Sequence, residues 1–168
     1  YSDDIPLLAQ RTALLREVGA VLAAGWQGQA ANLIRAANHS AAHLVALVTA
    51  ELPGFRDHAI YRGHPIYLYK RAQILVGDLW GSFGGQGLGR FDDIEQLTMF
   101  ADYRIPQLLR GEGILHYHSR LATLVDSQQE VASGSEMEIE LRAATIHAVE
   151  LLRHALSERG YAISSLEL

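Results

Sequence analysis

The chain has 168 residues, 49% of them hydrophobic and 20% charged, and its 14 basic against 19 acidic residues give a formal net charge of −5 at pH 7. It has no cysteine, which excludes disulfides, a thiolate nucleophile and thiolate metal ligands. The length predicts a single domain with a sizeable core. Because the charge is acidic and no basic stripe occurs, we expect no binding to long nucleic acid, whereas a single nucleotide needs only one or two cations.

The amino terminus and the apolar runs of the sequence indicate where in the cell the protein is expected. No run of about eighteen apolar residues and no signal-like amino terminus occurs, so we expect a cytoplasmic protein without a membrane partner. The sequence starts at Tyr1 and not at a methionine, which indicates a partial chain. The oligomeric state is not indicated by any pattern.

Apolar side chains at helical spacing predict helices over the first third of the chain. One spans residues 6–22 and a second spans residues 28–52, ending at Pro53-Gly54. His39 and His43 have the spacing of a metal pair in the second helix. No third ligand follows them, so we predict no metal site.

Residues 55–69 change to aromatic and β-branched side chains on either side of RGHP at residues 62–65. This pattern predicts one short β-hairpin near residues 58–69. Helical spacing returns over residues 70–80. The glycine-rich stretch 81–89 lacks the spacing of a dinucleotide motif and the Lys-Ser/Thr of a P-loop, so it predicts a connector or a lid.

Carboxylates cluster at residues 92–95, where the sequence predicts a helix start. The positive end of a helix favours acidic groups, so Asp92, Asp93 and Glu95 are predicted caps and not catalysts.

The last third of the chain predicts three helices, which makes about six in all and a mainly α fold. Residues 105–125 predict two short helices around the Gly-Glu-Gly of residues 111–113, a form similar to the helix-hairpin-helix of helical DNA glycosylases. Residues 136–156 predict the longest helix. Its Glu138, Glu140 and Arg142 form either an exposed charged turn or a buried polar network, and the sequence leaves both open.

The stretch FADYR at residues 100–104 places an aromatic, a carboxylate, a phenol and a guanidinium shortly before Pro106. The residue ahead of a proline is biased away from helix, so we expect a helix to break here and its polar groups to face a pocket. The alternative is a local Asp-x-Arg ion pair, which contributes little to stability when exposed.

Four motifs together resemble the queuosine salvage protein family: YKRAQILV at residues 69–76, DLW at 78–80, TMFADYRIPQ at 98–107 and EIELRA at 138–143. The resemblance extends from about residue 55 to residue 156. Members of this family are queuosine 5'-phosphate N-glycosidases, which release the free base queuine. The resemblance implies a largely helical domain similar to helix-hairpin-helix DNA glycosylases. We expect no cofactor and no metal, because ordinary water or a carboxylate of the site can capture the sugar cation that forms.

By this resemblance, Asp102 is the catalytic carboxylate, acting as nucleophile or as stabiliser of a cationic sugar, and Phe100 lies against the base. The residues expected to bind substrate are Phe100, Ala101, Tyr103, Arg104 and Lys70. The resemblance also implies a base-binding histidine in a region that precedes Tyr1 and an acidic and aromatic motif beyond Leu168 that helps to bind the base. We therefore expect residues 1–168 to hold an incomplete site.

Cleavage of an N-glycosidic bond passes through an oxocarbenium-like sugar, which a carboxylate beneath the anomeric carbon stabilises. Arg104 and Lys70 then either hold Asp102 ionised or bind the 5'-phosphate. A 7-deazapurine has no N7 to protonate, so the leaving base must be stabilised through other atoms, and Phe100 and Tyr103 offer rings for stacking. The alternatives are a non-catalytic module that binds a modified nucleotide or base and, less well supported, a lesion-specific DNA glycosylase.

Overall fold

The computed structural model describes residues 5–168, and the predicted mainly α fold with one hairpin is confirmed there. The helices are α1 Leu8–Gly25, α2 Ala30–Ala36, α3 Ala41–Glu51, α4 Lys70–Ser82, α5 Ile105–Gly111, α6 Ser119–Asp126 and α7 Glu136–Ser157. The strands are β1 His58–Tyr61 and β2 His64–Tyr67. No helix of this part of the chain is long and apolar enough to cross a bilayer.

The described chain falls into two compact units. The first contains the residues up to Arg56 together with Ile74–Gln96, and the second contains Asp57–Gln73 and Leu97–Leu168. The first four residues of α4 thus belong to the second unit and the remainder to the first. Whether the chain forms one domain stays a prediction.

In the first unit, the prediction of one helix over residues 28–52 is wrong. The chain breaks between α2 and α3, where Asn38 and His39 have φ angles of 50° and 61°. Such left-handed angles cannot continue a helix of L-residues. Ser40 then caps α3 by accepting a hydrogen bond from the His43 amide.

Asp93 completes that cap from elsewhere in the first unit. Its Oδ2 accepts hydrogen bonds from the Ser40 hydroxyl at 2.7 Å and the Ala42 amide at 3.3 Å, and its Oδ1 accepts from the Ala41 amide at 2.5 Å. Burial alone would raise the pKa of Asp93, but these hydrogen bonds outweigh it, and the pKa lies below its usual value. Of the three predicted caps, Asp93 alone caps an α-helix of the described chain, and that helix is α3. The predicted helix start at residues 92–95 is wrong, because only a short 3-10 turn, Ile94–Gln96, forms there, and Asp92 pairs with Arg90 instead.

In the second unit, β1 and β2 pair antiparallel with His58 opposite Tyr67 and Tyr61 opposite His64. The two turn residues, Arg62 and Gly63, both have positive φ angles, 49° and 83°. Two positive φ angles are the signature of the type I′ turn, whose twist matches that of the strands. The Tyr61 hydroxyl donates a hydrogen bond to Glu140 and so attaches the hairpin to α7.

The core of the second unit lies between α5, α7 and the irregular segment that precedes α5. Its buried members are Met99, Ala101, Leu109 and Val149, with Ile105, Leu115, Ile146 and Ala148 packed against them. The two helices predicted within residues 105–125 are present as α5 and α6. Their likeness to a helix-hairpin-helix stays a prediction.

Candidate active site

Residues 97–104, which we call the site segment, have no regular secondary structure and lead directly into α5. Burial alternates along the segment: Leu97, Met99 and Ala101 are buried, and those between them, Thr98, Phe100 and Asp102, are partly exposed. Phe100 and Asp102 are therefore both accessible, while Ala101 between them packs into the core.

Asp102 is anchored through one of its two carboxylate oxygens. Its Oδ1 accepts hydrogen bonds from the amides of Arg104 at 2.8 Å and Ile105 at 3.0 Å, which are among the amides that a helix leaves unpaired at its start. The Asp102 amide donates to the Phe100 carbonyl at 2.6 Å in a tight turn. Within residues 5–168, the Oδ2 atom has no hydrogen-bond partner, so it is available to a ligand.

The side chains that follow Asp102 are turned outward. Tyr103 is 68% exposed, and the Arg104 guanidinium lies over its ring at 5.7 Å from the centroid. Arg104 contacts Asp102 through its backbone amide, and the described residues contain no ion pair between the two side chains. The local ion pair weighed as an alternative is therefore absent, and the guanidinium has room to meet an anion.

Lys70 is the first residue of α4, and its position is fixed by Asp57. The Lys70 amide donates to Oδ2 of Asp57 at 2.9 Å, and the Asp57 carbonyl accepts from the amides of Leu68 and Tyr69 at 3.0 and 2.9 Å. Tyr69 has a φ of 48°, a left-handed angle that is strained for a bulky side chain and persists only where the surroundings enforce it. The hydrogen bonds to Asp57 hold the turn before Lys70 in this conformation.

Arg142 of α7 connects this turn to the site segment. Its Nη1 donates to Oδ1 of Asp57 at 2.9 Å and to Oε1 of Glu138 at 3.2 Å, its Nη2 donates to Oδ2 of Asp57, and its Nε donates to the Ala101 carbonyl at 3.2 Å. The Arg142 and Asp57 side chains are only 15% and 25% exposed. We call Asp57, Glu138 and Arg142 the junction. Arg142 therefore belongs to a largely buried polar network and not to an exposed charged turn, the two possibilities that the sequence left open.

The charges of the junction determine its protonation. Burial alone would raise the pKa of Asp57, but the hydrogen bonds from Arg142 and the Lys70 amide, aided by the positive charges of both residues, lower it below its usual value. Burial alone would lower the pKa of Arg142. The carboxylates of Asp57 and Glu138 outweigh it and raise the pKa of Arg142 above its usual value. Both groups are thus charged at neutral pH.

Gln73 of α4 holds the other end of the site segment. Its Oε1 accepts from the Thr98 amide at 2.9 Å, and its Nε2 donates to the Leu68 carbonyl at 3.0 Å and to the Thr98 hydroxyl at 3.2 Å. The site segment is therefore tied to α4 at Thr98 and to α7 at Ala101. Gln73 and Arg142 come from two of the motifs that carry the family resemblance.

All six residues predicted for the site lie in the second unit, five of them in the site segment, with Lys70 connected to them through the junction. Sequence reasoning missed Asp57 and did not select Gln73. A signal for Arg142 was present, because it lies on the stripe of Ile139, Ile146 and Val149 at helical spacing. A charged residue on a buried stripe requires a buried partner.

A separate cavity of about 410 Å³ lies in the second unit, beside α6 and α7. Its lining includes Tyr117, His118, Arg120, Met137 and Glu140, and none of the six predicted site residues. In the part of the chain that the structure describes, no three His, Asp or Glu side chains are grouped so that they could hold a metal ion.

Residues 1–166 match the sequence model of the queuosine salvage protein family. Because this match covers almost the whole chain, the chain belongs to this family. It is 46% identical over 168 residues to a protein of Dictyostelium discoideum, covering 100% of this chain and 52% of that protein. It is 49% identical over 165 residues to one of Sphaerobacter thermophilus, covering 98% of this chain and 51% of that protein.

A protein of Mus musculus is 39% identical over 154 residues, which cover 92% of this chain and 46% of that protein. All three relatives are named queuosine 5'-phosphate N-glycosylase/hydrolase. The chain spans about half the length of the curated relatives it matches.

Proposed function

We propose that this chain carries the catalytic carboxylate of an N-glycosidase that hydrolyses queuosine 5'-phosphate to queuine and ribose 5-phosphate, and so recovers queuine for tRNA modification. The names of the relatives supply the substrate and the reaction. The observation that carries the proposal is the arrangement of Asp102, with Oδ1 bound by two helix-start amides and Oδ2 without a partner in the described chain. A carboxylate held in this way is oriented before the substrate arrives.

The reaction breaks the bond between the anomeric carbon and a ring nitrogen, and the bonding electrons leave with the base. The sugar becomes cationic in the transition state, where a negative oxygen close to the anomeric carbon stabilises it. Oδ2 of Asp102 supplies that oxygen either electrostatically or as a nucleophile. Water finally adds its oxygen to the anomeric carbon, and its proton is taken up by the released base.

Two cations support the assignment of a nucleotide and not a nucleoside as substrate. Lys70 is fixed at the start of α4 by Asp57, and the Arg104 guanidinium is exposed beside Tyr103. One of them binds the 5'-phosphate and the other orients the catalytic carboxylate; a phosphate needs only one or two such partners. Phe100 is partly exposed two residues before Asp102, so its ring is available to stack on the base.

The product assay tests this proposal. The full-length protein is incubated with queuosine 5'-phosphate, and queuine is followed by chromatography and ribose 5-phosphate by a coupled enzymatic assay. Equal amounts of both products support hydrolysis. A stable complex without ribose 5-phosphate would instead indicate the alternative, a non-catalytic module that binds the nucleotide or the base. The cytoplasmic location stays a prediction.

A parallel incubation with queuosine lacking the phosphate tests the role of the cations. If Lys70 or Arg104 binds the phosphate, the nucleotide is cleaved with a kcat/KM at least about tenfold higher, since a charged hydrogen bond contributes about 1.5–3 kcal/mol. Equal rates for both substrates would contradict the phosphate role while leaving the role of Asp102 intact.

A further inference from the structure

We propose that Arg142 is a positioning residue for catalysis: it fixes the peptide plane that carries Asp102 and, through Asp57, holds the start of α4 at Lys70 in the same frame. This inference rests on the function proposed above and adds to it a residue that does not touch the substrate.

The contacts of Arg142 leave its guanidinium little freedom. Its three nitrogens donate to Asp57, Glu138 and the Ala101 carbonyl, and the pair with Asp57 is bidentate. A bidentate pair between the planar guanidinium fork and a carboxylate has one preferred geometry. The remaining donor, Nε, is thereby aimed at a fixed point, and the Ala101 carbonyl occupies it.

The contact with Ala101 bears directly on Asp102. The Ala101 carbonyl and the Asp102 amide belong to one planar peptide unit, so a hydrogen bond to the oxygen also sets the direction of the N–H. That N–H donates to the Phe100 carbonyl at 2.6 Å. Arg142 thus holds the plane from which the Asp102 side chain departs, while the amides of Arg104 and Ile105 hold its Oδ1.

The other side of the junction positions Lys70. The Asp57 carboxylate accepts from both Arg142 and the Lys70 amide, so loss of the guanidinium frees the group that caps α4. A lysine at position 142 would keep the charge, but its single ammonium cannot bridge a carboxylate and a carbonyl with a planar fork. The conservative change Arg142→Lys is therefore a geometric test and not a charge test.

The experiment compares Arg142→Lys with Arg153→Lys in the full-length protein. Arg153 lies on the same helix and donates to Glu150 at 2.9 Å, with its side chain 41% exposed, so it is a matched control. We expect kcat for queuine release to fall about a hundredfold in Arg142→Lys, as for a catalytic group displaced by about 1 Å. KM should change by a smaller factor than kcat, since both proposed phosphate ligands remain in the chain, and the control should retain wild-type kcat.

A double variant separates positioning from stability. Arg142→Met leaves Asp57 without its main partner and should lower the melting temperature, whereas Asp57→Asn/Arg142→Met removes both charges and should restore much of it, because buried ion pairs are often replaceable by neutral groups. The kcat of the double variant should stay low, since the Ala101 carbonyl still lacks its donor. Recovery of kcat together with the melting temperature would overturn the inference.

Amide hydrogen exchange gives a readout that does not depend on turnover. In Arg142→Lys, exchange at Arg104 and Ile105 should accelerate at least about tenfold as Asp102 loosens, while the middle of α7 stays protected. Unchanged protection, or a kcat loss no larger than that of Arg153→Lys, would refute positioning. A wild-type protein that forms no ribose 5-phosphate would refute the proposed function instead, and the exchange measurement would still decide the role of Arg142.

Discussion

Asp93 and Asp102 are both aspartates at the start of a helix, and they differ in how many of their oxygens the protein uses. Asp93 in the first unit uses both, one on the Ala41 amide and the other on the Ser40 hydroxyl and the Ala42 amide. Asp102 in the second unit uses only Oδ1 within the described chain. A carboxylate with both oxygens bound serves stability, whereas one with a free oxygen is held in place and still able to act on a ligand.

The largest expected effect comes from Asp102→Asn. The asparagine carbonyl oxygen can accept from the same two amides, so the fold should persist, but the negative charge that we propose lies beneath the sugar is lost. We expect kcat to fall about a thousandfold, measured by queuine release, with the melting temperature within about 2 °C of wild type. In Asp93→Asn, activity should stay within about threefold of wild type; a comparable loss in both variants would erase the distinction.

For the free energy of unfolding we expect the opposite order, with the larger loss at Asp93 and the smaller at Asp102. Asp93→Ala removes three hydrogen bonds at the start of α3 and should lower the free energy of unfolding by about 2 kcal/mol, the upper end for a helix cap. Asp102→Ala removes two at the start of α5 and should cost about 1 kcal/mol. Urea unfolding of both variants measures the difference. A larger loss from Asp102→Ala would mean that the site segment, and not the Asp93 cap, limits stability.

The pH dependence of stability tests the structural role of Asp93. Hydrogen bonds lower the pKa of Asp93 in the folded protein below its ordinary value of 3.8. An acid whose pKa is lowered on folding contributes stability above the unfolded pKa and loses it as pH falls through the folded pKa. The stability gap between wild type and Asp93→Asn should thus be constant from about pH 5 to 7 and shrink below about pH 4. A gap that widened with acid would contradict the lowered pKa.

The smallest effect is expected from Asp92→Asn, next to Asp93 in sequence. Asp92 pairs with Arg90 at 3.0 Å, and both side chains are about 60% exposed, at 61% and 59%. An exposed pair of this kind contributes less than about 1 kcal/mol. We expect the free energy of unfolding to change by no more than about 0.5 kcal/mol, checked by urea unfolding beside Asp93→Ala, and salt should reduce even that difference.

Most of the fold could be predicted from the sequence because local patterns determine it. The long stripe of α7 and the two-residue turn at Arg62-Gly63 depend only on near neighbours in the chain. The break between α2 and α3 could not be predicted this way. Asn38 and His39 lie inside an alanine-rich helical pattern, and their left-handed angles are stabilised by the cap that Ser40 and Asp93 form together.

The residues of the predicted site came from a resemblance. The position of Arg142 on a buried stripe indicates that it needs a buried partner, but no local pattern identifies that partner. Asp57 and Arg142 are 85 residues apart, and Gln73 and Thr98 are 25 residues apart. Such pairings have no periodic signature, so only the tertiary structure reveals them. The role of Asp102 itself stays a prediction until the variants are measured.

The separation between Ala101 and Arg142 also has a consequence for biosynthesis. The two residues are 41 positions apart, and a ribosome adds about 5–20 residues per second. The segment with Asp102 therefore emerges from the exit tunnel seconds before the helix that restrains it. A nascent chain stalled ahead of α7 should bury Asp93 against Ser40 yet still lack the hydrogen bond from Arg142 to the Ala101 carbonyl.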